Sequence, residues 1–349
     1  MNKRDFLKMF GLGVASLSVE KAFSKPNITQ IIPPVLKPER LKKGDTIGLI
    51  TPAGPLNDMD HIAQSRELLQ ALGFKVKEGK HIRTRYGHLA GTDEERLDDL
   101  HAMFADPEVK GMLCIRGGNG ASRLLDRVDY DLIRRHPKVL LGYSDITALL
   151  LAFHAKTGLV GFHGSVGNST WSNSLARAFE EQFFENKLQQ FRNPEDKSDT
   201  IIPYNNRITT IHPGAAEGKL LGGNFTLVTG LCGSPYLPDF KDAILFLEDI
   251  NENMSRLDRM FCQLKNSGIL SSIKGFVFGH CTDCKPIADE YTSLTLYQML
   301  EDYIKPLGIP AYSGARIGHI RDQFILPIGV SVRMDADKGT IELLETALS

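Results

Sequence analysis

The sequence predicts an α/β protein: a parallel sheet with helices on both faces, followed by a smaller, strand-rich α/β domain. Three observations carry this. Short apolar runs of strand character alternate with longer helix-like runs from Thr46 to Phe153, the pattern of a doubly wound sheet of the Rossmann or flavodoxin type. The 349 residues exceed the usual length of one domain. After Gly164 the chain turns polar, and from Ala216 short apolar runs return between glycines and prolines.

Each segment follows in order. Lys3-Arg4 and Phe6-Leu7-Lys8 precede a soft apolar stretch from Met9 to Val19, then Ala22-Phe23-Ser24. Basic, apolar and small-x-small regions in that order predict an export signal over 1–24 and a periplasmic address. Lys3 stands where a twin-arginine motif has its first arginine, so a Tat-like and a general secretory route both stay open; an amphipathic N-terminal helix is the alternative. The apolar run is too short to span a bilayer, so no integral membrane span is expected in the mature form. Residues 25–40, with Pro33, Pro34 and Pro38, read as a linker.

The first domain is expected over 41–165. Its strands are Thr46–Ile50, Phe74–Val76, Gly111–Ile115 and Lys138–Leu141; its helices are Ile62–Leu72, Asp93–Phe104 and a buried one from Ile146 to Phe153. Residues 166–212 are a polar connection with Trp171 and a helix over Ser174–Leu188. The second domain is expected over 213–345, with Leu220-Leu221, Ala243–Leu247 and Phe276-Val277-Phe278 as buried strands.

Composition narrows the function. A hydrophobic share of 42% and a charged share of 24% suit a soluble enzyme, and a net charge of −1 supplies no concentrated basic face for nucleic acid. Cys114, Cys232 and Cys262 lie in apolar runs as small buried thiols, and the five cysteines form no disulfide framework.

Chemistry-bearing residues gather at strand ends, where parallel sheets place their ligands. Ser144 follows the strand ending at Gly142 and opens a buried helix, so it sits where unpaired N–H groups stabilise an oxyanion. A plain N-cap at Ser144 or Asp145 is the alternative. Arg116-Gly117-Gly118-Asn119-Gly120 offers close backbone approach, or simply a tight turn. It has neither the P-loop lysine nor the dinucleotide fingerprint. Glu248 and Asp249 end a buried strand; such carboxylates cap helices, face solvent or orient a histidine. His280 and His319 are the histidines available. His280, Cys281 and Cys284 are close enough to share a metal ion, but a fourth ligand is not evident.

Together these segments resemble the LD-carboxypeptidases, the serine peptidases that include murein tetrapeptide carboxypeptidases and microcin-immunity peptidases. The resemblance runs from about Leu41 to Ile341. It is carried by Ile115–Gly120, Gly142-Tyr143-Ser144-Asp145-Ile146-Thr147, Gly222-Gly223-Asn224, Ile244–Ile250 and Arg256-Leu257-Asp258-Arg259-Met260. It implies Ser144 as nucleophile, Glu248 and His319 as its partners, and an oxyanion hole of the Gly118 and Asp145 N–H groups. The implied substrate is a peptidoglycan stem tetrapeptide cut before its terminal D-alanine, with no cofactor and no metal. Arg116, beside the site, is a candidate for the substrate carboxylate, or a structural ion pair. Asn119 stands where the murein enzymes usually have tyrosine, Ser255 where tyrosine often precedes Arg-x-Asp-Arg, and Ser165-Val166 where Pro-Met is common; the resemblance implies that all three border the substrate. The resemblance also leaves room for a microcin-type or peptidyl-nucleotide amidase and for a homodimer. A non-catalytic exported cell-wall or solute-binding protein is the alternative from another class.

Overall fold

The computed structural model describes residues 33–197, 199–202, 205–286 and 293–349. The expected export signal and the first part of the linker lie outside the described residues. Among the described residues no helix is long and apolar enough to cross a membrane.

The first half alternates strand and helix as expected: β1 (Thr46–Ile50), α1 (Asp60–Ala71), β2 (Lys75–Glu78), α2 (Asp93–Ala105), β3 (Val109–Cys114), α3 (Tyr130–Arg135), β4 (Val139–Gly142), α4 (Thr147–Thr157) and β5 (Phe162–His163). The strands lie in the order β2-β1-β3-β4-β5, all parallel, which is the doubly wound flavodoxin arrangement. Helix α2 starts at a capping box in which Thr92 and Glu95 satisfy each other's backbone N–H groups. Helix α4 carries no polar stripe because it is covered on all sides, by β5 of its own sheet and by elements of the second half. It stops at Gly158, whose φ of +78° supplies the left-handed C-terminal turn.

The polar connection is more structured than its composition suggests. Helix α5 (Asn173–Phe183) is followed by β6 (Gln190–Arg192) and β7 (Thr209–His212). It ends before Leu188, the residue to which the sequence pattern extends it; Asn186 then takes a φ of +52° and turns the chain away.

The second half contains β8 (Ala215–Asn224), α6 (Phe225–Gly230), β9 (Ile244–Ile250), α7 (Met254–Asn266), α8 (Ile269–Ser272), β10 (Gly275–Thr282), α9 (Leu296–Tyr303), β11 (Ala311–Ser313), β12 (Leu326–Pro327), β13 (Ser331–Asp335) and β14 (Thr340–Leu343). Its sheet runs β6-β14-β13-β8-β9-β10-β11-β7 and so has eight strands against six in the first. The central strands β8 to β11 are parallel, and antiparallel strands close both edges. Strand β12 leaves this half to pair with β5 on the first sheet, which ties the two sheets together.

Candidate active site

The turn after β4 sets the site. Tyr143 is extended, and Ser144 then adopts a φ of +60°, a left-handed conformation that costs a non-glycine residue roughly 1–2 kcal/mol. Neither Ser144 nor Asp145 caps the helix that follows. Asp145 instead accepts the Ala121 N–H at 2.7 Å, which fastens the glycine-rich loop to the serine turn. Burial pushes the Asp145 carboxyl above the usual aspartate range, against the Ala121 bond and the Arg96 charge.

The glycines of that loop are required by contact. A Cβ on Gly117 would stand 2.8 Å from Ser144 Cβ, and one on Gly118, whose φ is +115°, would stand 2.8 Å from Gly54 Cα. The loops after β1, β3 and β4 therefore meet at backbone distance around Ser144. The Gly118 and Asp145 N–H groups donate to no described backbone or side-chain acceptor, which leaves both open to a ligand.

Arg96 locks this arrangement from below, and nothing in its surface-like surroundings in the sequence, Glu94-Glu95-Arg96-Leu97, announces it. Its buried guanidinium donates to the Pro52 carbonyl at 2.7 Å and to the Gly120 carbonyl at 2.8 Å, and pairs with Asp93. Arg96→Met keeps the bulk and loses all three bonds. Asp93 keeps Arg123 as its partner, so the loss comes from the Pro52 and Gly120 carbonyls left without a donor, and unfolding stability is expected to fall by about 2–4 kcal/mol; urea titration giving less than about 1 kcal/mol would deny Arg96 this role.

The second half brings a carboxylate and an imidazole to the same place. Glu248 and Asp249 alternate across β9 and so face opposite ways. Glu248, fully buried, accepts from His319 Nδ1 at 2.8 Å through Oε2. Nδ1 thereby carries the proton, which leaves His319 Nε2 as the acceptor. The His319 ring lies 4.7 Å from that of Tyr143, the residue before Ser144. Gly318 makes room for the contact, since a Cβ there would fall 2.8 Å from Glu248 Oε2. Thr282 Oγ1 holds the His319 carbonyl at 3.1 Å. Asn224 joins the halves: its N–H donates to Thr147 Oγ1 at 3.0 Å, and its amide reaches Glu248 Oε1 at 3.3 Å and Asp249 Oδ1 at 2.9 Å.

The two carboxylates titrate in opposite directions. Burial pushes Glu248 up, but the imidazoles of His163 and His319 beside it win and hold it at about 2. Burial and the Glu248 charge push Asp249 up to about 6, against its bonds from Asn224 and Thr226. A group raised in the folded state adds stability that is full below its unfolded value, near 4, and lost as pH rises through 6. The stability of wild type relative to Asp249→Asn should therefore drop by about 2 kcal/mol from pH 4 to pH 7. The amide that asparagine presents to the Thr226 N–H is a fixed cost at every pH, so the slope is the readout, and a flat difference would refute the raised carboxyl.

His280, the other histidine, does not reach Glu248. Its backbone N–H donates to the Ile317 carbonyl, and burial with the nearby Arg316 charge keeps its ring basicity low. Cys281 and Cys284 are joined in a disulfide, which removes both thiolates from a shared metal site; among the described residues no His, Cys, Asp and Glu group could hold an ion. Arg116 Nη1 donates to the Pro55 carbonyl at 2.8 Å, and Asn119 is exposed on the same loop.

This arrangement has close relatives. Residues 47–164 match the model of the LD-carboxypeptidase N-terminal domain, and residues 217–334 that of the C-terminal domain. A probable murein peptide carboxypeptidase of Bacillus subtilis is 41% identical over 308 residues, 87% of this chain and 93% of the relative. The solved muramoyltetrapeptide carboxypeptidase of Oxalobacter formigenes superposes with a TM-score of 0.72 at 29% identity, covering 85% of this chain and 97% of its own. The microcin C7 self-immunity protein MccF of Escherichia coli, solved with glutamyl sulfamoyl guanosine, gives 0.78 at 28% identity, covering 90% and 100%. With both halves matched in order, and a relative at this identity over most of its length, the chain belongs to the LD-carboxypeptidase family.

Proposed function

We propose that this chain is a serine carboxypeptidase that hydrolyses the L,D amide bond before the terminal D-alanine of peptidoglycan stem tetrapeptides, with Ser144, Glu248 and His319 as its triad. The observation that carries the reading is the 2.8 Å bond from His319 Nδ1 to a buried, ionised Glu248, on a ring packed beside the Ser144 turn. The murein carboxypeptidase names of the relatives support the substrate class.

In this reading His319 Nε2 takes the Ser144 proton as the hydroxyl attacks the amide carbonyl, and Glu248 stabilises the imidazolium that forms. The Gly118 and Asp145 N–H groups receive the developing oxyanion. His319 then returns the proton to the departing D-alanine amine. A water, deprotonated by the same imidazole, hydrolyses the ester on Ser144. Arg116 and Asn119, on the loop that carries Gly118, are the proposed contacts for the substrate's terminal carboxylate, because a cation and an amide donor suit that group. The export signal read over residues 1–24 would carry the enzyme to its substrate.

Incubation with a defined tetrapeptide, the same peptide amidated at its C-terminus, the pentapeptide and an aminoacyl sulfamoyl nucleoside tests this. Release of one D-alanine from the free tetrapeptide alone is expected. Cleavage of the nucleoside with the tetrapeptide untouched would favour the amidase reading instead.

A further inference from the structure

His163 is fully buried at the end of β5, and neither ring nitrogen has a hydrogen-bond partner. Buried polar groups without partners are rare and mark a role or a cost. The acceptor beside it is Glu248 Oε1, 3.8 Å from His163 Nε2. That oxygen is itself poorly served: its hydrogen bond comes from Asn224 at 3.3 Å, long for an ionised carboxylate, whose bonds usually run near 2.8 Å. A donor and an acceptor that each lack a good partner therefore face one another, and a closure of about 1 Å joins them.

We propose that His163 is a positioning residue of the hydrolytic reaction, donating from Nε2–H to Glu248 Oε1 so that the carboxylate stays ionised and aimed at His319. The proposal rests on the triad reading above. The placement suits the task. The backbone of His163 pairs with Gly142, two residues before Ser144, and with Leu326 of β12. Its ring is held at 5.3 Å from Phe246 and 6.0 Å from Tyr143, the same tyrosine that packs on His319. The titratable groups facing it are Glu248 from β9, Tyr143 from the end of β4 and His319 across the carboxylate; Asp249 faces Asn224 and Thr226 instead. Burial and the Glu248 charge push Tyr143 up to about 12, so it stays neutral while the enzyme works.

Loss of the His163 donor raises the proton affinity of Glu248, so the Glu248–His319 pair takes up its proton at higher pH. The test compares kcat/KM against pH, on the tetrapeptide, for wild type, His163→Phe and His163→Gln. Phenylalanine keeps the ring and removes both nitrogens. It is expected to lower kcat roughly 10- to 100-fold, as loss of a group that orients a catalytic partner does, with KM little changed. Its acid limb should move up by about half a pH unit or more. Glutamine, whose amide N–H reaches toward the same oxygen, should restore the limb and most of kcat. An unmoved limb in both variants would overturn the proposal, whether or not kcat falls. Nitrogen-15 NMR of the wild-type histidines gives a readout that needs neither variant folding nor turnover. The Nε2–H tautomer of His163 is expected near neutral pH, and the Nδ1–H tautomer would overturn the proposal. Failure of wild type to cleave the tetrapeptide would sink the substrate reading and leave the tautomer result standing.

Discussion

Ser144→Ala should melt within about 2 °C of wild type and lose on the order of 10⁵- to 10⁶-fold in kcat. The fold does not depend on the hydroxyl: Ser144 makes no hydrogen bond through its side chain to a described residue, and the strained turn is held by Asp145, Ala121 and the close approach of Gly117. In the proposed triad the chemistry does depend on it, because this hydroxyl stands at the left-handed position between the glycine-rich loop and His319. Thermal melting and D-alanine release, measured on the same preparation, read both halves of the expectation. Residual release above about 1% of wild type would remove Ser144 from the nucleophile's role.

The second large effect belongs to the pair behind the serine. Glu248→Gln replaces an oxygen that accepts the His319 Nδ1–H with an amide that can donate, which favours the wrong imidazole tautomer. A loss of about 10⁴-fold in kcat is expected, and His319→Ala should lose as much or more. The double variant should fall no further than the worse single one, because in the proposed triad the groups act as a unit. Multiplying losses in the double variant would show that the two act separately. A damaging Asp249→Asn with a harmless Glu248→Gln would move the role one residue along β9, against the 2.8 Å contact that joins Glu248 to His319.

Local chemistry made much of this legible in the sequence. The alternating apolar runs place β1, β3, β4 and α4, because each is buried through most of its length and shows it as a continuous apolar segment. The paired glycines before Asn119 announce a close backbone approach, and that approach is to Ser144 and Gly54. The resemblance, and not the spacing, chose His319 over His280.

What stayed hidden depends on distance along the chain. Arg96 looks like one more charge on an acidic helix, since its carbonyl partners lie 44 and 24 residues away. His163 ends a short apolar run, and nothing near it in the sequence announces Glu248, which β9 brings beside it. Strands β6, β7 and β12 are two to four residues long and take their conformation from sheet edges they join. Cys281 and Cys284 have a spacing that suits a shared ion and a disulfide alike, and the structure joins them as a disulfide.

The most direct measurement uses a tetrapeptide whose final D-alanine is replaced by D-lactate, so that an ester is cut and formation of the acyl-enzyme outpaces its hydrolysis. After an acid quench, peptide mass mapping should find the tripeptide acyl group on the fragment that contains Ser144, with D-lactate released in step and neither event in Ser144→Ala. Release of D-lactate at equal rates by wild type and Ser144→Ala, with no acyl group on the chain, would contradict acyl transfer through Ser144.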